Sequence, residues 1–367
     1  MRIEFIDLYR VNLPLKVPYR LSYRTFESFE PILVRVCDND GREGWGEQHI
    51  SPGSSSETRE GGWAFVNTIS EDLPGKTIAE AMSHVNEAAN ESKVAAAALF
   101  TALEMAANPE KLIASRDVRL PLLTPFNATE HREVRDEVAQ RLDEGFGTFK
   151  VKVGKDVAAD LARVKEIQKA ADGRATLRID ANRAFSRDDA IAFATRINPG
   201  GIELFEQPCD AEDWEANGAV AAVSNVPLML DEPICTLTDI ERAATMDGVE
   251  LCKVKLKRFV SMNALGEAID RIKELGMTAV LGDGLGADIN CWMEACAARD
   301  RIENAGEFNG YVKVRPDSRI LENPLPFENG HMHLPAGYWP RMDQKLLESQ
   351  SLESRRYSKS AISLARR

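Results

Sequence analysis

Charged side chains close one short apolar run after another through the middle of this chain, at nearly constant intervals. Lys152, Asp180, Glu206, Asp231, Lys255 and Asp283 follow one another at steps of 28, 26, 25, 24 and 28 residues. Each step has the length of one strand plus one helix, so the interval predicts a βα repeat and a parallel sheet. The strand-like runs are 120–123, 149–153, 175–180, 202–206, 228–231, 251–255, 278–281 and a weak last one over 307–312. Amphipathic sequence lies between them: Val157, Leu161, Val164 and Ile167 give one helix an apolar face, and Asp172-Gly173 stops it. Ser186 with Asp189, and Thr238 with Glu241, have the spacing of capping boxes. Alternation of this kind predicts an α/β chain whose residues 116–315 form a modified TIM barrel, (β/α)7β. An open doubly wound sheet is the alternative, but no GxGxxG follows the first strand.

The flanks read differently. Apolar segments 3–13 and 31–37, the turn Asp38-Asn39-Asp40-Gly41 and then Gly44-Trp45-Gly46-Glu47 suggest an antiparallel meander, and 91–107 a helix closed by Pro109. Residues 1–115 are therefore expected to be a small α+β domain. Residues 316–367 do not repeat the βα pattern; they are expected to return to that domain, with 349–367 as a polar surface extension.

Composition excludes several function classes. No apolar run is long enough to cross a bilayer, and the net charge of -12 argues against a nucleic-acid surface. The N-terminus alternates like a strand and lacks the apolar stretch of a secretory leader, which reads as cytoplasmic. Six cysteines without CxxC pairing suit reduced thiols.

Strand C-termini of a barrel converge on one mouth. Three carboxylates there, Asp180, Glu206 and Asp231, repel one another unless a cation sits among them. Oxygen-only ligands favour Mg²⁺, with Mn²⁺ as a possible substitute. Each acid taken alone could equally be an N-cap or a surface residue. Lys150 and Lys152 are two apart on one strand and so share a face, where each would lower the other's pKa towards that of a useful base. Lys255 stands three strands past Asp180, on the opposite wall. Lysine-bearing edge strands are the bland alternative, but a closed barrel has no edges.

Phe149-Lys150-Val151-Lys152-Val153-Gly154, Ile179-Asp180-Ala181-Asn182-Arg183, Phe205-Glu206-Gln207-Pro208, Leu230-Asp231-Glu232-Pro233 and Val254-Lys255-Leu256 resemble the successive strand-end motifs of the enolase superfamily, in its muconate-lactonising-enzyme subgroup. Order and spacing match across the whole barrel, and the N-terminal unit resembles that family's capping domain. The resemblance implies that Asp180, Glu206 and Asp231 bind Mg²⁺, that Lys152 and Lys255 are acid/base catalysts on opposite faces of the substrate, and that Lys150 holds the carboxylate or tunes Lys152. Asn182, Asp283, Glu307 and Asn309 are further candidates for substrate binding, as are Arg20, Tyr23, Arg24 and Phe26 in the capping segment 17–30 and the loop 51–56. A homo-oligomer, dimer or octamer, is also expected.

Two departures matter. After Lys255 the chain reads Leu-Lys-Arg-Phe-Val-Ser where relatives often carry glycines, so the loop there is expected to shape a different pocket. The mandelate-racemase arrangement puts a histidine on the seventh strand; none of His49, His84, His131, His331 and His333 lies there, which favours the lysine-pair subgroup. The implied reaction removes the proton alpha to the carboxylate of a small substrate, giving an enolate stabilised by Mg²⁺. Returning a proton on the other face makes a racemase or epimerase, and the same enolate serves a cycloisomerase or, as an alternative, a dehydratase of acid sugars or hydroxy amino acids. From other classes come a Schiff-base aldolase using Lys255 or Lys152, and a non-catalytic binding barrel.

Overall fold

The computed structural model describes residues 2–20, 25–53, 55–282 and 285–359. Seven parallel strands, Thr124–Phe126, Thr148–Lys152, Thr176–Asp180, Ile202–Glu206, Leu228–Leu230, Val249–Val254 and Thr278–Leu281, lie side by side in chain order. The ring closes over residues 306 and 307, where Gly306 bridges Leu122 and Glu307 bridges Gly282. Gly306 N–H donates to Pro121 O at 2.9 Å and Glu307 N–H to Leu281 O at 3.1 Å.

The first and last strands depart from expectation. The run 120–123 does not start the barrel: Val118–Pro121 pairs antiparallel with His331–Leu334, and Thr124–Phe126 takes the barrel place. A short apolar run carries no label for its partner, and the returning C-terminal segment supplies one. Of the run 307–312 only Glu307 joins the seam, because Asn309–Lys313 turns into a helix. The backbone there packs so closely that a Cβ on Gly310 would lie 1.7 Å from Gly286 O. Ser186 caps its helix through Asp189 N–H at 3.2 Å, but the second expected box is displaced. The helix Leu237–Ala243 is capped by Thr236, which accepts from Asp239 N–H; this pair has the same spacing two residues upstream.

The capping sheet has the order Ser351–Ser358, Ile3–Val11, Ile32–Asp38, Glu43–Gln48. Residues 351–358 are thus an edge strand rather than a surface extension. Its polar sequence is that of an exposed edge, anchored where Arg356 pairs with Asp7 at 2.5 and 2.7 Å. Helix Lys93–Ala107 lies directly on Glu43–Gln48, since Gly44 and Gly46 offer no side chain in its way. Two capping carboxylates then reach the barrel. Glu47 accepts the backbone N–H groups of Ala287, Ile289 and Asn290, at the start of helix Asp288–Ala298. Glu104 accepts Met262 N–H at 2.7 Å, at the start of helix Met262–Glu274. Anions at helix N-termini are favoured by the orphan donors and the helix dipole together. Among the described residues no helix is long and apolar enough to cross a membrane.

Candidate active site

Adjacent barrel strands run in register, so that Lys152 lies opposite Asp180 and Asp180 opposite Glu206. Asp231 and Lys255 directly follow the strands Leu228–Leu230 and Val249–Val254. The five side chains make an arc along the mouth with a lysine at each end. Lys152 Nζ lies 2.6 Å from Asp180 Oδ2 and 2.6 Å from Asn182 Oδ1. Lys255 Nζ lies 3.0 Å from Asp231 Oδ2. Between them Lys150 Nζ stands 2.8 Å from Asp180 Oδ2, 3.0 Å from Glu206 Oε2 and 2.8 Å from Glu307 Oε2.

Spacing alone leaves out several members of this cluster. Lys253 is buried at 2.9 Å from Glu206 Oε1 and 2.5 Å from Glu307 Oε2. It precedes Lys255 by two, the same K-x-K signal as Lys150 and Lys152. Arg258 Nη1 lies 2.9 Å from Asp231 Oδ1. Gln207 Oε1 accepts Asp231 N–H at 2.9 Å and so orients that acid. Left-handed backbone at Asn182 (φ 45°), Arg183 (φ 67°) and Gln207 (φ 37°) gathers at the same rim, a strain that concentrates at functional sites.

Burial works against every charge here, and the neighbours decide the outcome. At Asp180 the ammonium groups of Lys150 and Lys152 more than offset burial and hold the carboxyl below its usual range. Asp231 is held well below by Lys255 and Arg258 in the same way. Glu206 goes up, from burial and from Asp180 beside it. The expected mutual depression of Lys150 and Lys152 is not found at Lys150: burial lowers it, but Asp180, Glu206 and Glu307 together raise its pKa well above the usual value. The lysine lowered at this site is Lys255, through burial first, with Arg258 and Lys253 adding to it against the opposing pulls of Asp231 and, more weakly, Glu232.

A cavity of about 240 Å³ opens over the arc, lined by Lys152, Lys255, Asn182, Glu307 and Asn309 and closed from the capping side by Tyr19, Ser51, Ser55 and Glu57. Asn309 Nδ2 donates to Glu307 Oε1 at 3.0 Å. Phe26 does not join it; it packs in the core against Phe29 and His49. Asp283, Tyr23 and Arg24 lie outside the described residues, as does the Arg20 side chain. The loop after Lys255 is a short helix, Leu256–Phe259, ended by Val260 at φ 66°, and it carries Arg258 into the cavity wall.

Among the described residues no group of three or more acids, histidines or cysteines converges into a ready cation cage. Lysine nitrogens instead stand at 2.6–3.0 Å from oxygens of all three acids. The donor chemistry fits a hard divalent ion: the oxygens are anionic, buried and demand positive charge. Glu232 Oε2 and Asp231 Oδ1, both buried, have no aligned hydrogen-bond donor, although Asp231 Oδ1 has cationic nitrogens at 3.0 and 2.9 Å.

Known proteins share this architecture. The chain is 29% identical to the L-Ala-D/L-Glu epimerase of Bacillus subtilis (strain 168) over 291 residues, 73% of this chain and 78% of that one. It is 25% identical to muconate cycloisomerase 1 of Acinetobacter baylyi over 364 residues, 94% and 98% of the two chains. The crystal structure of a dipeptide epimerase from Cytophaga hutchinsonii, complexed with Mg and the dipeptide D-Ala-L-Val, superposes with a TM-score of 0.86. It is 21% identical and the match covers 97% of this chain and 100% of that one, a likeness of fold. Both sequence relatives are isomerases, as the lysine-and-carboxylate pattern leads one to expect. A model of the enolase C-terminal domain-like family matches residues 133–338, more than half of the sequence, and the chain belongs to that family.

Proposed function

We propose that this protein removes and returns the proton alpha to the carboxylate of a small substrate, acting as a racemase or epimerase, with cycloisomerisation open to the same intermediate. The observation that carries the reading is the placement of Lys152 and Lys255 at the two ends of one arc of carboxylates, with the cavity between them. Such a proton is very weakly acidic, so its removal needs positive charge fixed in advance around the developing dianion.

Burial and the neighbouring cations lower the pKa of Lys255 and so favour the neutral form that a base needs. Lys255 breaks the Cα–H bond and forms an N–H bond. The ammonium of Lys152, on the far side, gives its proton to the opposite face of the same carbon. That inverts the centre, and the reverse direction exchanges the two roles. Lys150 and Lys253 stay charged among Glu206 and Glu307 and hold the floor of the cavity rigid. Asp180, Glu206 and Asp231 would hold Mg²⁺, which when bound supplies Lewis-acid charge to the substrate carboxylate. The oxygen donor set supports Mg²⁺, as does the Mg in the Cytophaga complex.

Dipeptides such as L-Ala-L-Glu, N-acyl amino acids and muconates, incubated in D₂O and followed by NMR, test the proposal. Lys152→Ala and Lys255→Ala are each expected to keep the fold and lose net turnover by about a thousandfold. Alpha-proton exchange should survive for one stereoisomer in one variant and for the other stereoisomer in the other. Normal turnover in both variants would refute the assignment. Chelation should abolish activity and Mg²⁺ restore it; activity indifferent to chelation would favour Schiff-base chemistry, which borohydride trapping would reveal.

A further inference from the structure

Behind Lys255 a row of buried polar side chains runs back to the capping sheet. Gln48, at the end of the capping strand Glu43–Gln48, donates from Nε2 to Asn290 Oδ1 at 2.8 Å. Asn290 donates from Nδ2 to Glu294 Oε2 at 3.3 Å, and Glu294 Oε1 accepts the backbone N–H of Leu256 at 2.8 Å. Asn290 and Glu294 are one helical turn apart on Asp288–Ala298 and share a face. Gln48, Asn290 and Glu294 are all buried. A carboxylate, a carboxamide and a second carboxamide withdrawn from water cost stability unless they are connected, and a connected network fixes one arrangement of what it joins.

What it joins is specific. Leu256 follows Lys255 and begins the helix Leu256–Phe259, whose N-cap Lys255 gives that helix no side-chain capping hydrogen bond. Its N–H is an orphan of the helix start that local sequence does not satisfy, and Glu294 satisfies it. The other lysine needs no such help. Lys152 lies within a sheet ladder, and the next residue, Val153, donates its N–H to Asp180 O at 3.0 Å. Helix Asp288–Ala298 is itself seated by Glu47, the residue before Gln48, on the backbone of Ala287, Ile289 and Asn290. The strand carrying both is pressed against helix Lys93–Ala107: a Cβ on Gly46 would come within 2.0 Å of Ala98 O. It therefore has little room to shift.

We propose that Gln48, Asn290 and Glu294 form a positioning relay through which the capping sheet sets the backbone under Lys255, and with it the reach of Lys255 Nζ to the substrate. The proposal rests on the acid/base reading of Lys255. None of the three residues lines the cavity, and the relay reaches the lysine through the backbone that bears it.

Gln48→Leu cuts the relay at its far end, Glu294→Leu at its near end, and Glu294→Gln keeps an acceptor for Leu256 N–H. Hydrogen–deuterium exchange on the whole protein without substrate should show the Leu256 amide about tenfold less protected in both leucine variants, as loss of a buried hydrogen bond requires. Glu294→Gln should stay near the parent, and Val153 should be unchanged throughout. With L-Ala-L-Glu as probe in D₂O, proton exchange on the face served by Lys255 should fall while that served by Lys152 persists. Unchanged Leu256 protection in Gln48→Leu overturns the relay whatever the chemistry, and it does so even if Glu294→Leu fails to fold. Lowered protection with equal loss at both faces also overturns it, reducing the three residues to general stability. Failure of the acid/base reading itself shows elsewhere, as Lys255→Ala exchanging like the parent.

Discussion

Lys253 and Lys255 are two residues apart and have opposite surroundings. Lys253 is enclosed by Glu206 and Glu307, which outweigh burial and raise its pKa; Lys255 shares one main carboxylate, Asp231, with Arg258 and is lowered. The first is a fixed charge and the second an exchangeable one. Without Lys253 the buried Glu206 and Glu307 must share Lys150 as their paired cation, so Lys253→Met is expected to destabilise the fold by roughly 3–5 kcal/mol. Chemical denaturation checks this, and Lys253→Met/Glu307→Gln should recover part of the loss by removing the surplus negative charge. Gly282 belongs to the same arrangement: a Cβ there would meet Lys253 Cε at 2.4 Å and Lys255 Cε at 3.1 Å, so both lysine stems use its vacancy. The acids and lysines that end strands are legible in sequence because their interval is the length of a βα unit. Lys253 shows the same two-residue period, but what buries it is Glu307, 54 residues away across the ring, and no local spacing encodes that contact.

At the scale of elements, six of the eight expected barrel strands follow directly from alternation of short apolar runs with helical periodicity. The two at the seam do not, because pairing there depends on the returning chain. Val118–Pro121 finds His331–Leu334 instead of the barrel, and the last strand contracts to residues 306 and 307. The two glycines of Gly44-Trp45-Gly46 have a reason that only packing reveals: they admit the helix Lys93–Ala107 against the capping sheet. Gly46→Ala would place a methyl 2.0 Å from a backbone oxygen that cannot rotate away. Overpacking of that kind is expected to cost about 1–3 kcal/mol or more, read as a lower denaturation midpoint. If helix and strand part, the relay at Gln48 should loosen with them.

Across the whole molecule, the capping unit is fastened to the barrel by Glu47 and Glu104 at two helix N-termini, a fastening invisible to residue spacing because it links segments 150 or more residues apart. Burial pushes both carboxyls up to about 7 even though backbone N–H groups oppose the shift. Folded-state values above the ordinary 4.5 mean that the folded protein binds these protons more tightly than the unfolded chain. Their contribution to stability is complete below that ordinary value and is lost as pH rises through about 7. Urea denaturation across this window should show the midpoint falling with pH, and Glu47→Gln should flatten the fall.

The capping sheet also joins the two ends of the described chain, with Ser351–Ser358 hydrogen-bonded along Ile3–Val11. During synthesis Ile3–Val11 must therefore wait, one edge bare, until some 340 further residues have emerged. Throughout that interval its unpaired backbone is open to any passing strand, which makes translation speed and chaperone cover part of how this protein reaches its native form.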